Sequence, residues 1–101
     1  MSNQAATFGP IAKSITNKLQ STLDPVELVV TDQSHLHVGH VGERPQGQSH
    51  FDVLIVTVLF KGKSRIKRQR MIHDILSKEL ESDIHALSVV ALTPEEFSNR
   101  A

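Results

Sequence analysis

Apolar residues recur every four positions near the start of the chain, at Ile11, Ile15, Leu19 and Leu23. This spacing puts the four side chains on one stripe of a helix, and it predicts an amphipathic helix over residues 10–23. Pro10 suits the first turn of that helix. Asp24-Pro25 ends it, because the residue before a proline disfavours the helical conformation.

Three later segments are predicted to be strands. Residues 26–31 are rich in β-branched side chains. Residues 51–60 are apolar on both alternating faces over much of their length, which is typical of a central strand that is covered on part of both sides. A last strand is predicted over residues 84–92. Residues 33–48 contain three glycines and Pro45, and they are predicted to form a long loop.

The segment between the second and third strands is predicted to be helical. One helical stripe is formed by Met71, Ile72, Ile75, Leu76 and Leu80. Ile66 departs from that stripe by about a third of a turn, so we predict a short helix over 64–68, capped by Ser64, and a longer one over 69–81. After the third strand, Thr93 and Glu96 have the spacing of a capping box that opens a final helix.

The predicted order of elements is therefore α-β-β-α-α-β-α. The helical connection over residues 61–83 is long enough for a crossover, and crossovers normally join parallel strands. The third strand would then begin at the same edge of the sheet as the second. We therefore expect His85 to lie beside His50 and the end of the loop.

Length and composition indicate one small domain. The chain has 101 residues, 39% of them hydrophobic, and no cysteine, so it can bury one modest core and has no disulfide framework. We expect a single domain over residues 10–97, between a flexible N-terminus at 1–9 and a tail at 98–101. No apolar run approaches the ~20 residues that span a bilayer, and no secretory signal is visible. The predicted location is the cytoplasm, or an organelle matrix or stroma if a transit peptide has been removed.

The net charge of zero conceals a basic segment at residues 61–70. It holds six basic side chains and no acid: Lys61, Lys63, Arg65, Lys67, Arg68 and Arg70. Such a run is either a solvated helix face or a surface for an anionic partner such as nucleic acid. Tyrosine and tryptophan are absent, so base stacking has few candidates. Phosphate contacts alone predict weak, salt-dependent DNA binding with little sequence preference.

Histidine is the residue type that most constrains the chemistry. Three of the six histidines, His35, His37 and His40, lie in the predicted loop. Neutral imidazole binds transition metals. His37 and His85 are the leading candidates, because one lies in the loop and the other at the strand end that should face it. His35 is expected to be an ordinary surface residue, while His50 and His73 are expected to be partly buried hydrogen-bonding side chains.

Two imidazoles are only half of a tetrahedral zinc site, which His35, His40, Glu43 or Asp52 would have to complete. An iron–sulfur cluster is the alternative, since imidazole can replace thiolate on one iron. The sulfur ligands would then come from a partner protein. Nucleophilic catalysis has little support, because there is no cysteine and no Gly-x-Ser-x-Gly motif. A hydrolase is therefore not expected.

Five short motifs in order along the chain resemble the BolA family. They are Ser49-His50-Phe51, Phe60-Lys61-Gly62-Lys63-Ser64, Arg68-Gln69-Arg70, Ile84-His85-Ala86-Leu87-Ser88 and Leu92-Thr93-Pro94-Glu95. The resemblance runs from about residue 10 to residue 97. It implies a KH-like, class II α/β (α+β) fold with a three-stranded mixed sheet and helices packed on it.

The resemblance also implies a function. It suggests an adaptor that is not an enzyme, which forms a heterodimer with a monothiol glutaredoxin and shares a bridging [2Fe-2S] cluster, in cluster trafficking and assembly or in iron and redox regulation. By this resemblance His85 is one ligand, and His37 best matches a second ligand in the loop, with His40 in reserve. The partner would supply cysteine and glutathione, and the isolated chain, expected to be monomeric, would bind no cofactor.

Two features depart from the family pattern. The loop before Ser49 looks longer than in many members, which is why His40 stays in reserve, and Gln69 stands where a histidine is frequent. Family members are also described as transcriptional regulators, and Lys63 to Arg70 resembles part of a helix-turn-helix. The alternative function is therefore a DNA-binding regulator that uses the basic segment. We expect the glutaredoxin to contact the same half of the chain, so that the two roles compete. No membrane partner is expected.

Overall fold

Seven helices and strands and one short 3₁₀ turn make up the part of the chain that the computed structural model describes, residues 9–33 and 50–100. In order they are helix α1 (Pro10–Leu23), strand β1 (Glu27–Asp32), strand β2 (His50–Val56), the 3₁₀ turn (Val58–Phe60), helix α2 (Arg65–Ile75), helix α3 (Ser77–Ser82), strand β3 (Ala86–Leu92) and helix α4 (Pro94–Asn99). The predicted order is confirmed, and α1 has the predicted bounds. Among these residues, no helix has both the length and the apolar character needed to cross a membrane.

The three strands form one mixed sheet in the order β1-β2-β3. β2 pairs antiparallel with β1 and parallel with β3, so that Val53 lies between Val30 and Val89 in the register. The central position of β2 and the parallel third strand are both confirmed. As a result, β2 and β3 begin at the same edge of the sheet.

The core lies between one face of the sheet and the helices. Three stripe residues of α1, Ile15, Leu19 and Leu23, are buried, and Ile11 is partly buried against the same core. Alternate residues of β2 and Ile72 of α2 are also buried. The buried cluster comprises Ala12, Ile15, Leu19, Leu23, Val30, Phe51, Val53, Ile55, Phe60, Ile72, Leu76 and Ile84. Burying one large aliphatic or aromatic side chain contributes about 1.5–3 kcal/mol, so the stripe of α1 holds that helix on the sheet.

The strand predicted over 51–60 is four residues too long. β2 ends at Val56, and the buried Thr57 starts the 3₁₀ turn: its hydroxyl oxygen accepts a hydrogen bond from the N–H of Leu59 at 3.2 Å and donates one to the carbonyl of Leu23 at 3.1 Å. Val58 and Leu59 are therefore exposed, at 62% and 47%, although their apolar character suggested a strand interior.

Two helices do connect β2 to β3, but the break between them is not where the sequence placed it. α2 continues without interruption from Arg65 to Ile75, and the chain turns at Leu76. Ile66 lies in the first turn of α2 and is 64% exposed, so its departure from the apolar stripe reflects exposure rather than a new helix. The Ser64 cap is confirmed, since its hydroxyl oxygen accepts a hydrogen bond from the N–H of Lys67 at 3.1 Å.

An acidic side chain near the core joins α1 to α3. The carboxylate of Glu79 is buried and accepts hydrogen bonds from the hydroxyl of Ser14 at 2.8 Å and the ammonium of Lys18 at 3.0 Å. Burial raises the pKa of Glu79, but these hydrogen bonds and the charge of Lys18 outweigh it, and the pKa lies below its ordinary value of 4.5. Glu79 therefore stabilises the fold above pH 4.5, and this contribution is lost as the pH falls through its lowered pKa.

We expect Glu79→Gln to lower the free energy of unfolding at pH 7 by about 1 kcal/mol, since a neutral amide accepts weaker hydrogen bonds from Ser14 and Lys18. Urea unfolding followed by far-UV circular dichroism at pH 7, 5 and 3 measures this. The wild type should lose more stability than the variant as the pH falls. Glu81→Gln is the matched control, because Glu81 is an exposed residue of the same helix. Equal losses in the two variants at pH 7 would contradict the role given to Glu79.

Candidate functional site

Two histidines meet at the edge of the sheet where β2 and β3 begin. His50 is the first residue of β2 and pairs in register with Ala86, and His85 lies in the bend immediately before Ala86. The two imidazole rings are stacked, with centroids 5.8 Å apart and planes 2° from parallel. The prediction that His85 lies beside His50 is confirmed.

The two rings differ in exposure. His85 is exposed, whereas His50 is half-buried, and the carbonyl oxygen of His50 accepts a hydrogen bond from the N–H of Gln33 at 2.8 Å. This bond lies where β1 ends, so His50 is anchored between two strands. An exposed imidazole at the rim of a sheet can bind a metal that is also held by another molecule.

The described residues do not form a complete metal site of their own. Within residues 9–33 and 50–100, no group of three or more histidine, aspartate or glutamate side chains could hold a metal ion. Asp52, named above as a zinc ligand, accepts a hydrogen bond from the side chain of Gln33 at 2.7 Å. The loop candidates His35, His37, His40 and Glu43 lie outside the described residues, so the pairing of His37 or His40 with His85 stays a prediction.

His73 is not the partly buried residue that the sequence suggested. It is exposed in the last turn of α2. Its neighbour Ile72 faces the core, and a step of one residue turns a helical side chain by about 100°, which directs His73 to solvent. This histidine lies outside the stacked pair and offers a matched control for experiments on His85.

The basic segment begins at the opposite edge of the sheet. β2 has seven residues, and at about 3.3 Å per residue it separates His50 from Val56, at the other end of the strand, by about 20 Å. Five of the six basic side chains are exposed: Lys61, Lys63, Arg65, Lys67 and Arg70. The first turns of α2 therefore present a dense positive surface away from the two histidines.

Arg68, the sixth basic residue, is bound within the fold. Its guanidinium donates hydrogen bonds to the carbonyls of Lys63 and Ala91, both at 3.0 Å, and lies 5.7 Å from the ring centroid of Phe60. It also forms a two-pronged ion pair with Glu96, at 2.7 and 3.2 Å. Only 11% of its side chain is exposed. Sequence alone could not distinguish Arg68 from its five exposed neighbours.

Glu96 links this ion pair to the start of α4. Its carboxylate accepts a hydrogen bond from the N–H of Thr93 at 2.9 Å, and the hydroxyl oxygen of Thr93 accepts one from the N–H of Glu96 at 3.2 Å, which confirms the capping box. The hydrogen bond from Arg68 is the main cause that lowers the pKa of Glu96 to about 2. The carboxylate thus remains charged well below pH 4.5, and its contribution to stability is lost progressively as the pH falls from 4.5 toward about 2.

The described part of the chain is a small α+β domain, in which helices pack on one face of a mixed three-stranded sheet. Its candidate functional groups lie at the ends of the strands, with an exposed histidine at one edge and a basic surface toward the other. The chain belongs to the BolA family: the family model described as "BolA-like protein" matches residues 19–96. The fold implied by the motif resemblance is confirmed.

Similar proteins come from several organisms. The chain is 45% identical over 98 residues to SufE-like protein 1, chloroplastic/mitochondrial, of Arabidopsis thaliana and 44% identical over 91 residues to Protein BOLA1, chloroplastic, of the same plant. These matches cover 93% and 88% of this chain, but only 26% and 57% of the two relatives. The DNA-binding transcriptional regulator BolA of Haemophilus influenzae is 36% identical over 87 residues, which cover 86% of this chain and 81% of that protein.

Among solved structures, the BolA domain of SufE1 from Arabidopsis thaliana superposes with a TM-score of 0.75 at 49% identity. The match covers 88% of this chain and 98% of that one. The solution structure of BolA1 from Mus musculus gives a TM-score of 0.79 at 32% identity, over 92% of this chain and 72% of that one. These relatives are named as BolA or SufE-like proteins, or as a regulator, rather than by an enzymatic reaction.

Proposed function

We propose that this chain is an adaptor without catalytic activity, which binds a monothiol glutaredoxin and shares a [2Fe-2S] cluster with it. His85 is one ligand of the cluster, and a histidine of the loop before β2, His37 or His40, is the second ligand. The glutaredoxin contributes the thiolate and holds glutathione. The heterodimer then takes part in iron–sulfur cluster trafficking or in iron and redox regulation.

The observation that carries this proposal is the exposure of His85 at the sheet edge, next to the point where residues 34–49 join β2. The donor set favours a shared cluster over a resident metal ion, because the chain lacks cysteine and its described residues offer no group of three ligands. Imidazoles fit one iron of a cluster, and the sulfur ligands must come from a second protein. When bound, the cluster supplies iron and electrons, while this chain supplies nitrogen ligands and a surface for the partner.

Reconstitution of the purified chain tests the proposal. The chain is mixed with a monothiol glutaredoxin, glutathione, ferrous iron and sulfide under anaerobic conditions, and visible circular dichroism and size-exclusion chromatography are recorded. We expect a 1:1 complex whose spectrum differs from that of the glutaredoxin reconstituted alone. A spectrum identical to that of glutaredoxin alone, with the two proteins eluting separately, would refute the proposal.

A second candidate function is DNA binding by the basic segment, and one observation favours it. Five exposed cations, with no acid among residues 61–70, surround the start of α2. The relative from Haemophilus influenzae is named a DNA-binding transcriptional regulator. Arg68 is already paired with Glu96, so the contacts with phosphate would fall to the five exposed side chains.

We expect DNA affinity to fall as salt rises, and Lys63→Ala and Lys67→Ala each to reduce the slope of log affinity against log salt by about 1. Fluorescence anisotropy with a labelled duplex at several salt concentrations measures these slopes. His85→Ala is the control and should leave DNA binding unchanged. Affinity that does not respond to salt, or to either lysine, would exclude this function.

The names of the two plant relatives place those proteins in chloroplasts or mitochondria. For this chain they favour the organelle matrix or stroma, given above as the alternative to the cytoplasm.

Residues of the basic segment at the start of α2 and His85 lie toward opposite edges of the sheet. This separation argues against direct competition between the two roles at the residues themselves, and adding DNA to the reconstituted complex tests it.

A further inference from the structure

We propose that His50 is a positioning residue: its ring stacks on His85 and holds that imidazole in the orientation in which it meets the shared cluster. This inference rests on the proposed function for the role of His85. It concerns a side chain that the sequence suggested to be only a partly buried hydrogen-bonding residue.

The anchoring of the two residues sets the direction of the effect. His50 lies in the central strand, where its carbonyl accepts a hydrogen bond from Gln33 and where Phe51, the next residue, is 1% exposed in the core. His85 lies in the bend that precedes β3 and is exposed. An exposed side chain samples several rotamers unless a neighbour restricts it. The half-buried ring of His50, on the better anchored backbone, is therefore the one that orients His85.

The ring geometry favours positioning over joint metal binding. The centroid distance of 5.8 Å lies in the range of offset-stacked aromatic pairs. The lone pair of an imidazole nitrogen lies in the plane of its ring, and the planes of two stacked rings do not meet. The two rings as placed therefore cannot direct their lone pairs at one metal ion. A flat ring at position 50 is sufficient for the stack, whether or not it carries nitrogen.

This reasoning gives a test with two variants of the same residue. His50→Phe keeps a flat ring and removes the nitrogens, while His50→Ala removes the ring. In the isolated chain, three-bond couplings and ring chemical shifts measured by NMR report the χ1 rotamer of His85 without any cluster. We expect one dominant rotamer in the wild type and in His50→Phe, and averaged couplings in His50→Ala.

The same variants are then reconstituted with the glutaredoxin. We expect His50→Phe to give the wild-type circular dichroism spectrum, and His50→Ala to give a cluster that a chelator removes about fivefold faster. His73→Ala serves as the control for loss of an exposed histidine. Far-UV circular dichroism and thermal unfolding of each variant identify effects that come from misfolding.

Each result bears on the inference. If both His50 variants lose the cluster while His85 keeps its rotamer, His50 is itself a ligand and the positioning role is wrong. If His50→Ala leaves the rotamer and the cluster unchanged, the stack has no positioning role. If His50→Ala releases His85 but His85→Ala leaves the cluster unchanged, the control of His85 by His50 is supported and the ligand assignment of His85 fails. The two failures are thus distinguishable.

Discussion

Replacing His85 by alanine is expected to abolish the visible circular dichroism spectrum that distinguishes the heterodimer from the glutaredoxin reconstituted alone. His85 is the exposed imidazole just before β3, and in the proposed complex it is a direct ligand of iron. Alanine offers no donor atom, and no described cluster of side chains could replace the lost nitrogen. The fold should be unaffected, because an exposed side chain contributes little to stability.

Alanine variants of the loop histidines test which of them is the second ligand. His37→Ala and His40→Ala are reconstituted in parallel with His73→Ala, which removes an exposed histidine of α2 and should give the wild-type spectrum. We expect His37→Ala to weaken the spectrum and His40→Ala to leave it nearly unchanged. Wild-type spectra for both His85→Ala and His37→Ala would refute the ligand assignment, and the reverse ranking of His37 and His40 would move the second ligand to His40.

The second large effect is expected at Arg68. Arg68→Ala should lower the free energy of unfolding by about 2 kcal/mol and the melting temperature by about 10 °C. The substitution removes the hydrogen bonds to the carbonyls of Lys63 and Ala91, the ion pair with Glu96 and the packing on Phe60. These partners belong to the 3₁₀ turn, the turn before α2, β3 and α4, so the loss loosens the contacts of α2 with four other parts of the structure.

Arg70→Ala is the matched control, because Arg70 is an exposed arginine two residues later on the same helix. It should change the free energy of unfolding by less than about 0.5 kcal/mol. Differential scanning calorimetry at pH 7 measures both variants. Equal melting temperatures for the two would show that the contacts of Arg68 contribute no net stability. A loss of DNA binding in Arg68→Ala is interpretable only after this comparison, since part of the variant is expected to be unfolded near its melting temperature.

The sequence predicts a segment well where its apolar residues recur with a clear period. α1 was predicted to the residue, because its four stripe positions, a proline at the start and Asp24-Pro25 at the end all favour the same helix. The error at residues 57–60 has the opposite cause. Val58, Leu59 and Phe60 are all apolar, but hydrophobicity alone does not show which residue is buried, and only Phe60 faces the core. The hydroxyl of Thr57, which supports the turn, has no signature in the apolar pattern.

The sequence by itself determined the order of elements, the family motifs and the types of ligand available, since periodicity, capping residues and composition act over short stretches of chain. It also placed His85 near His50, because a helical crossover normally joins parallel strands. Only the tertiary structure decided that the two rings stack, that Arg68 pairs with Glu96 while its neighbours face solvent, and that Glu79 binds Ser14 and Lys18. These contacts join residues 28 to 65 positions apart, and their geometry depends on how helices and strands pack rather than on any local pattern.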